Sequence, residues 1–364
     1  MNKFFPIPLF SFIKIVFQNG GITAKGLLNT PPWLLKTILF EPLRWIELVT
    51  KSKKIEKHSI TKPPIFILGY CRSGTTYLQQ LFMQDDRLGF TSNFQVVFPE
   101  IMLSFEKKLT PALESITRFF KIQNPVYRMP MSWYFPGEED VAMTTSLNPG
   151  GAQWGYFFPK KMYEYYEKYV FFEYIPEAEI RAWKESYIFL LKKISLANQN
   201  KPLVLKSPPN TARIKFLLSH FPGAKFIFIH RNPYEVYASN KRLWKVINDR
   251  YTLGTTRSVD FNTIILDTYS KIMDRYLRDK DLIPQGQLAE LSFEDLVYQP
   301  VESMRQIYES LDLDEYDYCE NKMRSFAFLQ KNHVILNHTL PLEETRMVSE
   351  KWGPFFRQWN YPLL

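Results

Sequence analysis

The sequence predicts an α/β fold: a parallel sheet flanked by helices, with further helical decoration. Three observations predict it. Short apolar runs of strand length occur at "IFIL" (65–68), "LVL" (203–205) and "KFIFI" (225–229), each reading as a buried strand. Turn residues and a segment of helical spacing follow each run. Strand and helix then alternate through short connections, the pattern of a parallel α/β sheet.

The elements follow in order. "MNKFFPIPLFSFIKIVF" opens the chain and resembles a secretory signal only superficially, because Pro6, Pro8 and Lys14 interrupt it and no small-residue cleavage site follows. It also falls short of the roughly 20 apolar residues of a membrane span. "PPWLLKTILFEPLRWIELVTKSKK" mixes Trp33, Leu34, Leu35, Ile38, Leu39 and Trp45 with Lys36, Arg44 and a basic tail. Two readings stand for residues 1–60: an amphipathic segment lying in a membrane interface, or an elaboration packed on the main domain, 61–364. "TKSKKIEKHSITKPP" (50–64) reads as a linker into the first strand.

After the first strand and its helix, residues 95–175 are aromatic and interrupted by proline, with "FPGEED" as their most polar landmark. A helix is predicted from Glu177 to about Asn198, since Ile180, Trp183, Tyr187, Leu190, Leu191 and Ile194 recur at three- and four-residue steps. Beyond "LVL", Asn210 is placed to cap a helix with Ile214, Leu217, Leu218 and Phe221 inward, stopped by Pro222 and Gly223. "KFIFI" and its helix come next. "QLAELSF" and "PVESMRQIYESLDL" form a further strand–helix pair, and "LPLEETRMVSEKWGPFFRQW" a terminal helix.

Composition narrows the class. A chain of 364 residues buries a large core, so one domain with elaborations is the default. The aromatic share is high at 16%, which suits an aromatic-rich core or an apolar substrate pocket. Forty-six basic against 37 acidic side chains leave a charge of +9, suiting an anionic ligand or anionic membrane surface. The basic residues are dispersed and no nucleic-acid motif appears. Two cysteines, Cys71 and Cys319, exclude a disulfide framework and a cysteine-built zinc site, and fit a reducing, cytoplasmic compartment. No metal-ligand spacing is present.

The chemistry concentrates at two turns. In "PIFILGYCRSGTTYL", Gly69 and Gly74 stand where the two glycines of a phosphate-binding P-loop stand, but Thr75 occupies the place of its lysine. Backbone N–H groups at such a turn hold phosphate oxygens without a lysine. Ser73, Thr75 and Thr76 add hydroxyls, and Arg72 adds a planar cation. The missing lysine argues against turnover of a nucleoside triphosphate; a nucleotide-dependent kinase is kept as an alternative. In "FIFIHRNPYEVYASNKRLW", Arg231 follows a strand and Ser239 lies eight residues on, about two helical turns, so both can serve a second phosphate. Cys71 reads as a packing residue of the first turn rather than a nucleophile, and His230 as a residue that orients the second.

With these two turns in the right order, the chain resembles the sulfotransferases that use 3′-phosphoadenosine-5′-phosphosulfate (PAPS). The resemblance runs from about Pro64 to Pro354, with "LSFEDLVYQP" as a third landmark. It implies that Arg72, Ser73, Gly74, Thr75 and Thr76 hold the 5′-phosphosulfate, that Arg231 and Ser239 hold the 3′-phosphate, and that Lys206 of "LVLKSP" stabilises the departing phosphate. The fold it implies is the P-loop-like sulfotransferase fold, with PAPS as co-substrate and no metal.

The base departs from the family patterns. The histidine of many cytosolic members is here Pro208, and the glutamate of tyrosylprotein-type members is matched only loosely by Asn93 or Glu100. Glu139, with Glu138 and Asp140 beside it, is the leading candidate, because apolar neighbours can raise a carboxyl pKa; a solvated helix N-terminus is the competing reading. His333 and His338 are the other option. The implied acceptor is a hydroxyl, with a sterol or other lipid alcohol favoured by the aromatics and the amphipathic segment. A carbohydrate or other small-molecule hydroxyl is the alternative.

Overall fold

The computed structural model describes residues 8–124, 126, 130–147, 150–313, 315–330 and 340–364. Among the described residues, four helices precede the sheet: α1 (Pro8–Gln18), α2 (Ala24–Leu27), α3 (Pro31–Leu39) and α4 (Glu41–Lys57). Then come β1 (Ile65–Leu68), α5 (Thr75–Phe82), β2 (Gly89–Phe90), α6 (Asn93–Val97) and α7 (Met102–Phe119). A helical stretch follows with α8 (Glu139–Thr145), α9 (Trp154–Phe157), α10 (Met162–Tyr166) and α11 (Glu177–Ala197). The chain continues through β3 (Leu203–Lys206), α12 (Ile214–His220), β4 (Lys225–His230), α13 (Pro233–Arg250), α14 (Phe261–Asp279) and β5 (Leu288–Ser292). It ends with α15 (Phe293–Tyr298), α16 (Pro300–Ser310), α17 (Asp317–Gln330) and α18 (Leu342–Gln358).

These elements divide into two compact units. One comprises residues 1–61, 91–200 and 244–259, and the other residues 62–90, 201–243 and 260–364. The second holds the sheet, in the order β2-β3-β1-β4-β5, with every pair parallel. All four residues of β1 and of β3 are buried, which is why both read as unbroken apolar runs. Ile65 and Ile67 join Leu78, Leu81, Ile227 and Ile229 in one core layer, while Phe66 packs with Phe221 and Phe226. Edge strand β5 carries Glu290, bonded by Tyr276, a polar outward residue that discourages further strand pairing.

The first unit is built from aromatic clusters. Trp154 and Phe158 pack with Phe12 and Leu253; Phe94, Phe98 and Ile101 pack with Phe40, Leu43 and Trp133. Much of the unit's aromatic content therefore fills cores. The helix predicted from Glu177 is α11, with Trp183, Tyr187, Leu190, Leu191 and Ile194 buried as expected.

Three expectations need correction. The stretch from Thr50 is not a linker throughout: α4 continues to Lys57, with Ile55 buried at 2% exposure and lysines on its outer side. Asn210 does not cap α12. It lies in a 3₁₀ turn, Pro208–Ala212, and its Oδ1 accepts from Arg213 Nη1 at 3.1 Å, so the helix starts after Arg213. Finally, Pro111 does not interrupt the chain between residues 95 and 175: α7 runs through it. That helix turns polar residues inward. Glu114 accepts from Ser132 Oγ and Trp133 N, and Thr117 accepts from Trp133 Nε1, while Phe105, Leu109 and Leu113 recur at helical spacing and pack with Phe94 and Phe98.

Candidate active site

The first turn is fixed by positions where only glycine fits and by partners distant in sequence. Gly69 has φ +145°, and a Cβ there would lie 2.6 Å from the Ile229 carbonyl oxygen of the neighbouring strand. Its N–H donates to Thr211 Oγ1 at 2.8 Å, and that hydroxyl donates back to the Gly69 carbonyl at 3.1 Å. Ser73 N then closes a turn onto the Tyr70 carbonyl. Arg72 sits in the left-handed region at φ +73°, which costs a non-glycine residue about 1–2 kcal/mol. Gly74, at φ +97°, leads into α5, and a Cβ there would meet Phe293 Cδ2 at 2.1 Å.

The second turn holds Arg72 in place. Arg72 Nε donates to Ser239 Oγ at 2.9 Å, and the Arg72 carbonyl accepts from Arg231 Nη1 at 3.3 Å. The eight-residue spacing of Arg231 and Ser239 thus brings both to one residue of the first turn. Asn240 adds a bond from Nδ2 to the Cys71 carbonyl at 3.0 Å. Sequence reasoning missed Asn240 and Thr211. Neither lies in a recognisable motif; the amide of Asn240 beside Ser239 was the only signal, and Thr211 offered none.

Lys206 ends β3 beside Ile67 of β1 and is 3% exposed. Its Nζ donates to Thr76 Oγ1 at 3.4 Å, so the lysine and the start of α5 meet. Ser73 and Thr75 are buried, and Thr76 is half-buried. The middle position of β1 accounts for this convergence. β3 and β4 leave it on opposite sides, and in open parallel sheets a crevice forms at the strand ends where the order reverses.

Burial weighs against the charge of Arg231; Glu235 and Glu294 offset that, and Arg72 and Arg242 add repulsion. Glu235 pairs with it at 3.2 Å, and its guanidinium lies over the Phe293 ring at 4.6 Å. A group of arginines held this close favours an anion between them. His230 buttresses the turn. Tyr361 donates to Glu294 Oε2 at 2.8 Å, so it accepts from His230 Nδ1–H at 2.9 Å, and Asn232 N donates to the other Glu294 oxygen. Burial pulls the His230 imidazole down to about 4, against the raising effect of Glu294, Glu290 and Asp295.

The acidic group belongs to the first unit. Glu139 and Asp140 occupy the first turn of α8, as the helix-terminus reading has it, but both are 0% exposed and so not solvated. Glu139 Oε1 accepts from Tyr187 OH at 3.1 Å, and Glu138 precedes the helix with partial exposure. Of the other candidates, Asn93 Nδ2 donates to the Ser132 carbonyl, and Glu100 pairs with Lys36 at 3.2 Å. Cys71 is half-buried; His333 and His338 lie outside the described residues. Glu106 of α7 was not singled out from sequence. Burial raises its carboxyl, while bonds from Ser92 Oγ (2.5 Å) and Gln95 Nε2 (2.8 Å) favour the charged form. Among the described residues, no cluster of three or more His, Cys, Asp or Glu side chains is arranged for a metal ion.

The chain is similar to known proteins across most of its length. It is 26% identical, over 317 residues, to omega-hydroxy-beta-dihydromenaquinone-9 sulfotransferase Stf3 of Mycobacterium bovis, covering 87% of this chain and 80% of that one. The Mycobacterium tuberculosis protein of the same name matches equally. Among solved structures, sulfotransferase STF9 from Mycobacterium avium superposes with a TM-score of 0.75 at 19% identity, over 96% of this chain and 90% of that one. Sulfotransferase STF1 from M. tuberculosis H37Rv gives a TM-score of 0.65 at 18% identity, over 95% and 91%. These two likenesses show the fold. Residues 63–318 match the model of the sulfotransferase family, which sets aside the kinase alternative: the chain belongs to the sulfotransferase family and is an enzyme of sulfuryl transfer.

Proposed function

We propose that the protein moves a sulfuryl group from PAPS to the hydroxyl of a lipophilic acceptor. The observation that carries the donor assignment is the Arg72–Ser239 hydrogen bond, joined by Arg231 on the Arg72 carbonyl. A donor with phosphates at both the 5′ and 3′ positions matches two cationic turns tied together. In this reading the Gly69–Thr76 turn, with Arg72, Ser73, Gly74, Thr75 and Thr76, holds the 5′-phosphosulfate, and Arg231 with Ser239 holds the 3′-phosphate. Lys206 faces the bridging oxygen as the S–O bond breaks, and its charge offsets the negative charge growing on the leaving phosphate.

Glu139 is the proposed base, accepting the acceptor's proton as its oxygen attacks sulfur; Glu138 and Asp140 are its alternates. Its support is a buried carboxylate oriented by Tyr187. Glu106 is the rival, supported by its raised carboxyl. The lipid acceptor is supported by the Stf3 relatives, whose name describes a hydroxylated menaquinone derivative. Contact with a membrane surface on the cytoplasmic side belongs to the same reading, since a lipid alcohol is presented there. Residues 61–364 are the proposed sulfotransferase domain, and 1–60 its N-terminal elaboration.

Calorimetric titration with 3′-phosphoadenosine-5′-phosphate, beside ADP and ATP, tests the donor. Tight binding that depends on the 3′-phosphate is expected. Equal or better binding of ATP would overturn the PAPS assignment. Sulfate transfer from labelled PAPS to a panel of hydroxylated quinones, sterols and sugars tests the acceptor, and exclusive transfer to sugars would replace the lipid reading.

A further inference from the structure

Soluble helices turn apolar residues inward and charge outward. Two consecutive helices of the first unit turn some apolar residues inward, Trp33 on α3 and Leu43 and Ile55 on α4, but also carry polar side chains inward and large apolar ones outward. On α3, Thr37 is 3% exposed and Lys36 points inward to Glu100 and the Thr145 carbonyl, while Leu35, Ile38 and Leu39 are 56%, 56% and 62% exposed. On α4, Arg44 and Glu47 are buried; Glu47 pairs with Lys193 at 2.7 Å and accepts from Ser104 N. The outward residues there are Trp45, Ile46 and Val49, the last 77% exposed. Inward polar side chains require partners; Thr37 Oγ1 donates to the Leu34 carbonyl at 3.1 Å and Arg44 pairs with Glu41 at 2.7 Å, so all four have them. The apolar outward face is thus a built feature of the unit.

What borders this face indicates what covers it. Trp45 is 44% exposed and lies beside the Arg44–Glu41 ion pair, whose guanidinium stands 5.0 Å from its ring, an apolar body with polar groups at one edge as indoles at a bilayer boundary have. The next two turns of α4 carry Lys51, Lys53, Lys54 and Lys57. An apolar face followed by a band of lysines matches acyl chains followed by anionic headgroups. Among the described residues, no helix is long and apolar enough to cross a membrane, so the helices would lie in the plane of the interface.

We propose that α3 and the first half of α4 dock the protein on an anionic lipid bilayer. Leu35, Ile38, Leu39, Ile46 and Val49 enter the headgroup–acyl boundary, Trp45 marks its edge, and the α4 lysines bind lipid phosphates. The proposal rests on the lipid-acceptor reading for its purpose but not for its measurement, because vesicle binding needs neither donor nor acceptor.

The test is co-sedimentation of the full chain with phosphatidylcholine–phosphatidylglycerol vesicles and with pure phosphatidylcholine vesicles, across a salt series. Binding to the anionic vesicles, weakened by salt, is expected. The triple variant Leu35→Ser, Ile38→Ser, Leu39→Ser should lose binding while keeping its unfolding temperature and its affinity for 3′-phosphoadenosine-5′-phosphate. A large drop in unfolding temperature would mean these side chains pack inside the protein, and would overturn the proposal. The double variant Lys53→Gln, Lys54→Gln should bind anionic vesicles on the order of twentyfold more weakly, each basic residue near such a surface being worth about fivefold. Wild-type binding by that variant, or binding indifferent to lipid charge, would refute the headgroup role. Self-association in sedimentation velocity that the triple variant abolishes, without vesicle binding, would assign the face to a second copy instead. A protein that binds the nucleotide but no vesicles overturns docking alone; one that binds vesicles but not the nucleotide overturns the donor reading alone.

Discussion

Gly74→Ala probes the coupling between the two turns. The residue sits at φ +97°, so any L side chain there costs about 1–2 kcal/mol. The added Cβ would also stand 2.1 Å from Phe293 Cδ2 and 2.8 Å from Cε2, far inside contact distance. Phe293 must then move, and overpacking of this kind costs roughly 1–3 kcal/mol. The sum is about 2–5 kcal/mol, enough to lower the unfolding temperature by several degrees. Phe293 also carries the Arg231 guanidinium at 4.6 Å, so its displacement should disturb the second turn as well. The assay is differential scanning calorimetry with titration of 3′-phosphoadenosine-5′-phosphate. Weaker binding beyond the stability loss is expected. Adding Phe293→Ala removes the overlap but leaves the backbone strain, so the double variant should destabilise by less than the two single losses combined. A Gly74→Ala protein with wild-type unfolding temperature and wild-type affinity would refute the reasoning.

Four further outcomes are expected. Arg231→Ala should weaken binding of 3′-phosphoadenosine-5′-phosphate far more than of ADP, in calorimetry; equal losses would remove the second-phosphate assignment. Lys206→Ala should depress kcat more than donor affinity, measured by steady-state sulfate transfer, and unaltered kcat would dismiss it as a catalytic residue. Glu139→Gln should lower kcat by roughly 10²–10⁴ with nucleotide affinity unchanged, whereas Glu106→Gln should leave kcat near wild type; the opposite pair of results would make Glu106 the base. The depressed His230 pKa has a definite sign. As pH falls from about 6.5 towards 4 the unfolded chain takes up the proton first, so the wild type should lose about 3 kcal/mol in that window, and His230→Gln should lose less. Parallel urea-unfolding profiles for the two proteins would contradict this.

The strands and both turns were legible in the sequence because their constraints are local. β1, β3 and β4 are buried on both faces, which writes continuous apolar runs, and the turn at Gly69–Thr76 needs glycines at fixed places. Arg231 and Ser239 were legible because a strand–turn–helix pattern puts Arg231 just past β4 and Ser239 within the first two turns of α13. Other features resisted reading because contacts distant in sequence decide them. Glu114 and Thr117 lie inward on α7 for the sake of residues 132 and 133, and Glu47 lies inward on α4 for Lys193 and Ser104. Asn210 had the chemistry of a helix cap, yet the two prolines before it set a tighter turn first. Glu106 offered no sequence signal, since its Ser92 and Gln95 partners become neighbours only when α6 and α7 pack.

The strand order also bears on synthesis. β1 lies in the middle of the sheet, but its two neighbours begin at Leu203 and Lys225. The turn at Arg72 leaves the ribosome early and has to wait for Ser239 before its arginine is held. During that interval "IFIL" has both edges open, a sticky segment that a nascent chain must shield. A ribosome stalled before residue 225 would therefore present an unpaired, aggregation-prone strand. One stalled beyond Ser239, with enough further chain to clear the exit tunnel, would present a sheet already able to close around it.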